Sequence, residues 1–359
     1  MNLHIINPEF HAWKRFASNA CCIITNVMGS VLSDKVLFRK RTLLLLLAYH
    51  GLNYKRMIVD NFRIYITEAC NAKCPNCFNK NARKGNYMDV ESFEKLCRFL
   101  SGHGGTQIKI MGGEPTIHPD FSEIMHVAQS YFEVVSLFTN ALSPALLEFS
   151  PRPKDIITYN FKFRRRLDKD NLFLNLPGIR NLEIQVVPSV IKEKLFEEIL
   201  RITSLDRSRI IPCFTLDCTA NIFRDREQIV PIYDYLITQC RKEGVAFGQD
   251  HLIPLCFLSD THIPMHKSGT NCLLNCAGLI DSSYNLRFCN QHSEVLVNFF
   301  KGDETITISD IEHVLTNKYN KIMSDIEGKG CGSCAMFGKY CNGGCFVGKS
   351  SIPFINPKY

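Results

Sequence analysis

The chain has 359 residues, 45% of them hydrophobic, which is enough for one large barrel-like domain or two to three smaller modules. Its 42 basic and 35 acidic residues leave a formal charge of +7, which suits an acidic peptide, a nucleotide-bearing substrate or an acidic electron-donor protein as partner. One tryptophan and no basic–aromatic repeat argue against nucleic-acid binding.

The seventeen cysteines are the most unusual part of the composition. The residues after Met1 lack a basic segment followed by a long apolar run, so we expect no signal peptide, a cytoplasmic location and no disulfide framework. The apolar run Leu43–Leu47 is shorter than the roughly 20 residues that span a bilayer, so we expect no membrane association. Metal binding in a reducing compartment is the better explanation of so many cysteines.

Residues 1–58 contain a helix-like mixture of basic and apolar residues between Asp34 and His50. We predict a helical N-terminal appendage there, either a packing element or a docking surface for a substrate or partner. From residue 61 onward, strand and helix patterns alternate, which is typical of a parallel sheet.

A cysteine triplet, Cys70, Cys74 and Cys77, follows directly after the alternating apolar run 62–67. The run predicts a buried strand, with the cysteines on the loop at its C-terminal end. Soft thiolate ligands favour zinc or iron–sulfur centres. Three cysteines on one tight loop would hold three corners of a [4Fe–4S] cluster and leave the fourth iron open for a small molecule. A zinc knuckle or three unrelated core thiols are the alternatives.

The next predicted strand, 106–111, runs into the motif Gly112-Gly113-Glu114-Pro115. Two adjacent glycines allow a backbone to approach a ligand closely, because neither carries a Cβ. A glutamate carboxylate is suited to an ammonium group. The cysteine loop and this motif both lie at the C-terminal end of a strand, so we expect them at one edge of the sheet.

The C-x3-C-x2-C spacing together with GGEP resembles the radical S-adenosylmethionine (SAM) superfamily. The resemblance implies that the open iron binds the amino and carboxylate groups of SAM, and that Gly112, Gly113 and Glu114 contact the amino group. It further implies cleavage of SAM to a 5′-deoxyadenosyl radical that abstracts hydrogen from a substrate. Many members carry an aromatic residue just before the third cysteine. This chain has Asn76 there, so Phe78, just after that cysteine, is the candidate adenine contact.

Later strand ends supply the remaining candidates for SAM or substrate contacts. Thr139 and Asn140 follow the third strand, where the family often carries Thr-Asn near the SAM ribose or methionine, although this pair is also common in turns. Asn160, near the end of the fourth strand, is a candidate SAM contact by the same resemblance. Asp217, at the end of the sixth strand, is a candidate catalytic, substrate or SAM contact, with loop capping as the alternative.

The resemblance implies an α/β fold, a partial (β/α)6 TIM-like barrel over residues 59–255. The residue pattern supports it, because amphipathic helices separate the apolar runs. The predicted strands after the second are 134–138, 156–161, 182–187 and 210–216, and the predicted helices are a helix capped by Asp89 and the ranges 119–130, 190–202 and 226–242.

Beyond residue 255 the helical periodicity fades and a second group of cysteines begins. The last four of them have the spacing C-x2-C-x6-C-x3-C, with glycines that would let a loop wrap a metal centre. Alone, this block could be a zinc ribbon. The group consists of Cys272, Cys276, Cys289, Cys331, Cys334, Cys341 and Cys345.

Following such a barrel, residues 256–359 resemble the SPASM extension, a small cysteine-rich iron–sulfur domain. The block is one residue longer than usual, and Tyr284 stands where a glycine is usual. The second auxiliary cluster would lack a fourth protein thiolate, unless Cys256, an exogenous ligand or an open iron completes it. A single auxiliary cluster, with the other thiols structural or on zinc, is the alternative. The resemblance implies one [4Fe–4S] cluster on Cys272, Cys276, Cys289 and Cys345, and a second on Cys331, Cys334 and Cys341.

These resemblances imply a radical SAM enzyme with auxiliary clusters and a flavodoxin- or ferredoxin-type electron donor. The expected substrate is a ribosomally made peptide that is crosslinked or oxidised, with a small molecule such as a sugar or nucleoside as the alternative. A non-catalytic iron–sulfur electron relay or a zinc-binding module is the alternative of another class. The GGEP motif discriminates against it, since an electron carrier needs no SAM site.

Overall fold

The computed structural model describes residues 59–60, 62–74, 77, 85–161, 176–216, 225–249, 278–290, 292–300, 306–327, 331–335, 337 and 341. The predicted appendage 1–58 therefore lies outside the described residues, which begin at residue 59. The candidates Phe78 and Asp217 also lie outside them, as do Cys256 and three cysteines of the second group: Cys272, Cys276 and Cys345.

A single ten-stranded sheet forms the centre of the fold, in the order β10-β9-β8-β1-β2-β3-β4-β5-β6-β7. Strands β1 to β7 are parallel to one another, and β8 pairs in parallel with the outer edge of β1. The last two strands turn back in antiparallel pairing. The strands are β1 (Arg63–Thr67), β2 (Gln107–Gly112), β3 (Val134–Thr139), β4 (Ile156–Phe161), β5 (Ile179–Val186), β6 (Ile210–Leu216), β7 (Gly248–Gln249), β8 (Leu279–Ile280), β9 (Asn285–Arg287) and β10 (Val297–Asn298).

Helices connect the parallel strands, as the alternating pattern predicts. The connecting helices in the described residues are α1 (Val90–Gly102), α2 (Phe121–Tyr131), α3 (Lys192–Thr203) and α4 (Arg226–Lys242), and a further helix, α5 (Ile308–Ile326), follows β10. The predicted cap of α1 is confirmed, because the Asp89 side chain accepts a hydrogen bond from the Ser92 amide at 2.7 Å. No helix within the described residues is long and apolar enough to cross a membrane.

One face of the sheet packs against the helices. Alternate residues of each strand, such as Ile64 and Ile66 of β1, join the apolar faces of the helices in the main core. Burying a Phe93 or Leu96 side chain of α1 in this core contributes about 1.5–3 kcal/mol. The opposite face, called the inner face below, holds a separate apolar cluster of Tyr65, Met111, Phe138 and Leu279.

The predicted α/β class and parallel sheet are confirmed. Two details differ from the expectation. Strand β5 begins at Ile179, three residues earlier than predicted, because Asn181 and Arg180 are polar residues that the structure nevertheless buries. The expectation that helical periodicity fades after residue 255 is wrong for α5, a 19-residue helix that opens with a capping box between Thr307 and Asp310.

Candidate functional site

The cysteine loop leaves the C-terminal end of β1, as predicted. Cys70, Cys74 and Cys77 are all partly exposed, and none of the described cysteines forms a disulfide. The Ala72 amide donates to the Cys70 sulfur at 3.4 Å. Burial raises the pKa of the Cys70 thiol, and the charges of Glu114, Cys77 and Cys74 act in the same direction. A thiol whose ionisation is opposed by burial and by neighbouring negative groups is suited to a cationic centre that would stabilise its thiolate form.

The two glycines of the GGEP motif lie directly against the backbone that leads into the cysteine loop. A Cβ at Gly112 would lie 2.2 Å from the Thr67 carbonyl oxygen, and one at Gly113 would lie 2.0 Å from that of Ala69. The Gly113 amide donates to Thr67 O at 2.9 Å, and the Glu114 amide donates to Ala69 O at 2.8 Å. The glycines are therefore required for contact within the protein, and the predicted close approach to a ligand stays a prediction.

The Glu114 carboxylate is the centre of a buried hydrogen-bond network. The residue is 1% exposed, and its Oε1 accepts hydrogen bonds from the Thr116 hydroxyl at 2.6 Å and the Thr139 hydroxyl at 2.7 Å. The Thr116 amide also donates to Oε1, at 3.2 Å, and the Asn140 amide donates to Oε2 at 2.6 Å. Burial raises the pKa of Glu114, although all these hydrogen bonds oppose the shift. Glu114 thus ties the end of β2 to the end of β3, and its predicted contact with the SAM amino group stays a prediction.

Thr139 and Asn140 lie beside the cysteine loop at the end of β3. The Asn140 side-chain amide donates to Asn71 Oδ1 at 2.9 Å and lies 4.0 Å from the Cys70 sulfur. The structure thus brings together the cysteine loop, the GGEP motif and the Thr-Asn pair at one edge of the sheet. Asn71 is a site residue that the sequence interpretation missed, because a polar residue in a loop follows no periodic pattern.

Asn160 lies on β4, where it is half-buried and in register with Glu183 of β5. Its place near the carboxyl end of the strand agrees with the candidate role, which stays a prediction. Lys109 of β2 lies on the same face of the sheet as Asn160 and is fully buried. It is paired in register with Ser136 of β3. A lysine within the apolar run 106–111 was a signal that the sequence interpretation did not use.

The second group of cysteines is described at four positions. Cys289 is buried just after β9, whereas Cys331, Cys334 and Cys341 are partly exposed. The Cys334 amide donates to Cys331 O at 3.0 Å, and Phe337 forms a β-bridge with Cys341. The turn and the bridge therefore bring three of the predicted ligands into one short segment. Among the described residues, no three Cys, His, Asp or Glu side chains are gathered as ligands of a single metal ion, and metal binding by this group stays a prediction.

Tyr65, on the inner face of β1, has electrostatic interactions with one cysteine of each group. Burial raises the pKa of its phenol, and the thiols of Cys289 and Cys77 act in the same direction, whereas Arg63 and Asn290 oppose it. Cys77 of the cysteine loop and Cys289 of the C-terminal group therefore both influence the phenol of Tyr65. The sequence interpretation treated Tyr65 only as part of a buried strand.

Comparison with known proteins identifies the part of the chain that holds this site. Residues 64–162 match the family model described as "Radical SAM superfamily". This range contains the cysteine loop, GGEP, Thr139, Asn140 and Asn160, so the radical SAM domain recognised from these motifs is confirmed.

Among curated relatives, a GTP 3′,8-cyclase of Chlorobaculum tepidum is 29% identical over 169 residues, 46% of each chain. A probable GTP 3′,8-cyclase of Methanococcus maripaludis is 29% identical over 206 residues, 55% of this chain and 60% of the relative. One of Pyrococcus horikoshii is 36% identical over 90 residues, 25% of this chain and 29% of the relative. The matches thus span about half or less of this chain and well under two thirds of these relatives.

Two solved structures share the fold over most of the chain. Streptococcus suis SuiB bound to precursor peptide SuiA superposes with a TM-score of 0.55 at 15% identity, covering 95% of this chain and 86% of SuiB. The structure of anSMEcpe with bound AdoMet and the Kp18Cys peptide superposes with a TM-score of 0.54 at 14% identity, covering 79% of this chain and 88% of that protein. At these identities the likeness concerns the fold alone.

Proposed function

Because this chain carries a radical SAM domain over residues 64–162, we propose that it cleaves SAM reductively to a 5′-deoxyadenosyl radical that abstracts hydrogen from a substrate. The observation that carries the proposal is the Glu114 network, which joins the GGEP motif, the Thr-Asn pair and the cysteine loop at one edge of the sheet. An electron carrier would need the cysteines but not this second strand end. The proposal therefore favours an enzyme over an electron-relay or zinc-binding module.

The protein residues have separate tasks in this proposal. Cys70, Cys74 and Cys77 would hold a [4Fe–4S] cluster, which supplies the electron for cleavage of SAM and an open iron for its amino and carboxylate groups. Glu114 holds the ends of β2 and β3 together around the place where SAM would bind. Glu114, Thr116 and Thr139 are buried, which strengthens the hydrogen bonds among them. A flavodoxin- or ferredoxin-type protein is the proposed electron donor, and the charge of +7 suits an acidic partner.

We also propose that residues 256–359 form a SPASM-like domain with one or two auxiliary [4Fe–4S] clusters. Support comes from the partly exposed Cys331, Cys334 and Cys341, whose backbones are connected by a turn and a bridge within one short segment. Cys289 lies near the phenol of Tyr65, and so within reach of the radical SAM domain. The cysteines that would complete the first auxiliary cluster are Cys272, Cys276 and Cys345.

The proposed substrate is a ribosomally made peptide that is crosslinked or oxidised. Support comes from the fold, which is shared with SuiB bound to a precursor peptide and with anSMEcpe bound to a peptide. A small molecule such as a sugar or nucleoside is the second candidate. One observation favours it, because the curated relatives described above are GTP 3′,8-cyclases or probable ones.

Anaerobic reconstitution with iron and sulfide, followed by SAM and dithionite, tests the proposed reaction. We predict release of 5′-deoxyadenosine from the wild-type protein and none from a Cys70→Ala/Cys74→Ala/Cys77→Ala variant that keeps its auxiliary iron. A Cys97→Ala variant is the matched control, because that thiol is buried in the core on α1. Equal loss of iron from every site in the triple variant, or wild-type protein that is loaded but inactive under strong reduction, would contradict the proposal.

Deuterium transfer identifies the substrate class. A candidate precursor peptide encoded beside the gene and GTP would each be supplied in deuterated form. Deuterium should enter 5′-deoxyadenosine from the peptide if the leading proposal is right, and from the nucleotide if the second is right.

Changing Cys341 to Ala should spare uncoupled SAM cleavage but lower the amount of product. Full product formation by that variant would show that Cys341 is not a cluster ligand.

A further inference from the structure

The orientation of the Asn140 side chain is fixed by the protein itself. The Leu142 amide donates to Asn140 Oδ1 at 3.0 Å, so the oxygen of this amide points back to its own turn. The nitrogen Nδ2 is thereby directed at the cysteine loop. It donates to Asn71 Oδ1 at 2.9 Å and lies 4.0 Å from Cys70 Sγ, within reach of a weak hydrogen bond to sulfur.

The backbone around Asn140 is held in a costly conformation to achieve this. Ala141 has φ +52°, a left-handed conformation that residues with a Cβ rarely adopt. The Ala141 amide donates to the Thr139 hydroxyl at 2.9 Å, and the Asn140 amide donates to Glu114 at 2.6 Å. A conformation of this kind persists only where its surroundings fix it, and here those surroundings are the GGEP carboxylate and the end of β3.

We propose that Asn71 and Asn140 form an amide pair that positions the Cys70 sulfur for cluster binding. This inference rests on the proposed function, and it makes Asn140 a positioning residue. Asn71 sits one residue after Cys70, so fixing its side chain fixes the start of the loop. The Asn140 N–H and the Ala72 amide, 3.4 Å from the same sulfur, would then both donate to the Cys70 thiolate. Donors beside a ligating sulfur orient the ligand and stabilise its charge.

The hydrogen bonds around the amide pair form a chain that starts at Glu114 and ends at the cysteine loop. Glu114 fixes Asn140, Asn140 fixes Asn71, and Asn71 fixes the loop that carries Cys70. The strand end of GGEP is thereby coupled to the cysteine loop through side chains as well as through the backbone contacts of the glycines. Losing such outer partners of a metal ligand typically lowers metal affinity about 10- to 100-fold.

A double-mutant cycle on iron retention tests the pair. The variants are Asn71→Ala, Asn140→Ala and the double variant, each reconstituted anaerobically in the full chain. The readout is the rate at which a chelator removes iron from the SAM-responsive cluster, followed by the EPR signal that changes when SAM is added. We expect each single variant to lose this iron at least about tenfold faster than the wild type, and the double variant to lose it no faster than the singles.

Two further variants separate positioning from a general effect on folding. Asn71→Asp keeps the acceptor for Asn140 and should retain iron far better than Asn71→Ala. Asn317→Ala changes an exposed asparagine on α5 and should behave as the wild type. Thermal melting of the apoproteins is recorded in parallel. If Asn140→Ala melts at a lower temperature than the wild type, the test is decided by the variants of Asn71, which is exposed.

The outcomes distinguish this inference from the proposed function. A wild-type protein that loads no iron at the loop and releases no 5′-deoxyadenosine overturns both. If the wild type cleaves SAM but Asn71→Ala retains iron at the wild-type rate, the amide pair is wrong and the proposed function stands. Multiplying effects in the double variant would likewise overturn the pair, since they would show two independent roles.

Discussion

At the scale of single residues, the site depends on buried polar groups whose partners are all within the protein. Glu114 is the clearest case, because a carboxylate that is 1% exposed accepts hydrogen bonds from Thr116, Thr139 and Asn140. Removing it would leave several buried donors without an acceptor, and each such donor costs about 1–3 kcal/mol. Glu114 therefore organises this edge of the sheet through contacts within the protein.

Replacing Glu114 by Ala should lower the free energy of unfolding by about 3 kcal/mol and weaken SAM binding. Replacing it by Gln should have a smaller effect on stability, because one oxygen remains as an acceptor while the new NH2 group faces a donor. Chemical denaturation of the apoprotein and SAM titration of the reconstituted protein measure the two effects. Unaltered stability and SAM affinity in Glu114→Ala would show that the network is not what holds this edge of the sheet.

His118, at the end of the turn after GGEP, makes the stability of the fold depend on pH. Its Nε2 faces the Met88 carbonyl oxygen at 2.9 Å and its Nδ1 accepts from the Asp120 amide at 3.0 Å, so the ring is neutral. Burial lowers the pKa of His118 from its ordinary value of 6.5, whereas the Met88 carbonyl and Asp120 oppose the shift. The unfolded chain therefore takes up a proton at a higher pH than the folded protein does.

Stability should consequently fall as the pH drops below about 6.5, and this contribution is fully present above that pH. The wild type should lose more free energy of unfolding between about pH 7.5 and 5.5 than a His118→Gln variant, which cannot be protonated in this range. Urea denaturation at both pH values provides the comparison. An equal loss in the two proteins would exclude His118 as a source of the pH dependence.

At the scale of elements, the C-terminal strands are attached to the radical SAM domain at two places. Strand β8 extends the sheet beside β1, and the turn before β9 contacts the start of α1 through Tyr284. The Tyr284 hydroxyl lies 3.1 Å from Asp89 Oδ2, and the pKa of Asp89 is lowered because hydrogen bonds from Ser92 and Tyr284 outweigh the opposing effect of burial. Tyr284 has φ +61°, a backbone conformation that glycine adopts more readily than residues with a Cβ.

Changing Tyr284 to Phe should lower the free energy of unfolding by about 1 kcal/mol, the contribution of a typical hydrogen bond. The ring would keep its contact with Phe300, at 4.7 Å between ring centroids, so the loss is assigned to the hydroxyl. Tyr87→Phe, at an exposed tyrosine, is the control and should change stability by less than about 0.5 kcal/mol. A Tyr284→Phe protein as stable as the control would show that the Asp89 contact contributes nothing.

At the scale of the whole molecule, the sequence predicted the alternating elements well, because apolar periodicity reports which face of a strand or helix is buried. Strands β1, β4 and β6 and helix α4 lie where the pattern placed them. Helix α5 was not predicted, although the capping box of Thr307 and Asp310 is a local signal for the start of a helix. The pairing of β8 with β1 joins residues far apart in the chain, and two-residue strands leave no periodic pattern to detect.

The sequence predicted those parts of the candidate site that have a characteristic motif or residue spacing. It did not predict contacts between residues that only the fold brings together. The cysteine loop and GGEP were recognised from their own residues, and the structure places them side by side. Asn71 and Tyr65 gain their significance from neighbours on other parts of the chain, which no local pattern reveals. For Gly112 and Gly113 the structure adds a contact with the backbone that leads into the cysteine loop, and their close approach to a ligand stays a prediction.

The central claim is that the loop of Cys70, Cys74 and Cys77 holds a cluster whose open iron binds SAM. Electron–nuclear double resonance on the reduced, reconstituted protein with SAM labelled at its amino nitrogen tests it most directly. We predict a hyperfine coupling between the cluster and the labelled nitrogen in the wild type, and none in the variant that lacks the three cysteines. Wild-type protein with iron at this loop but no coupling, or with only zinc there, would contradict the claim.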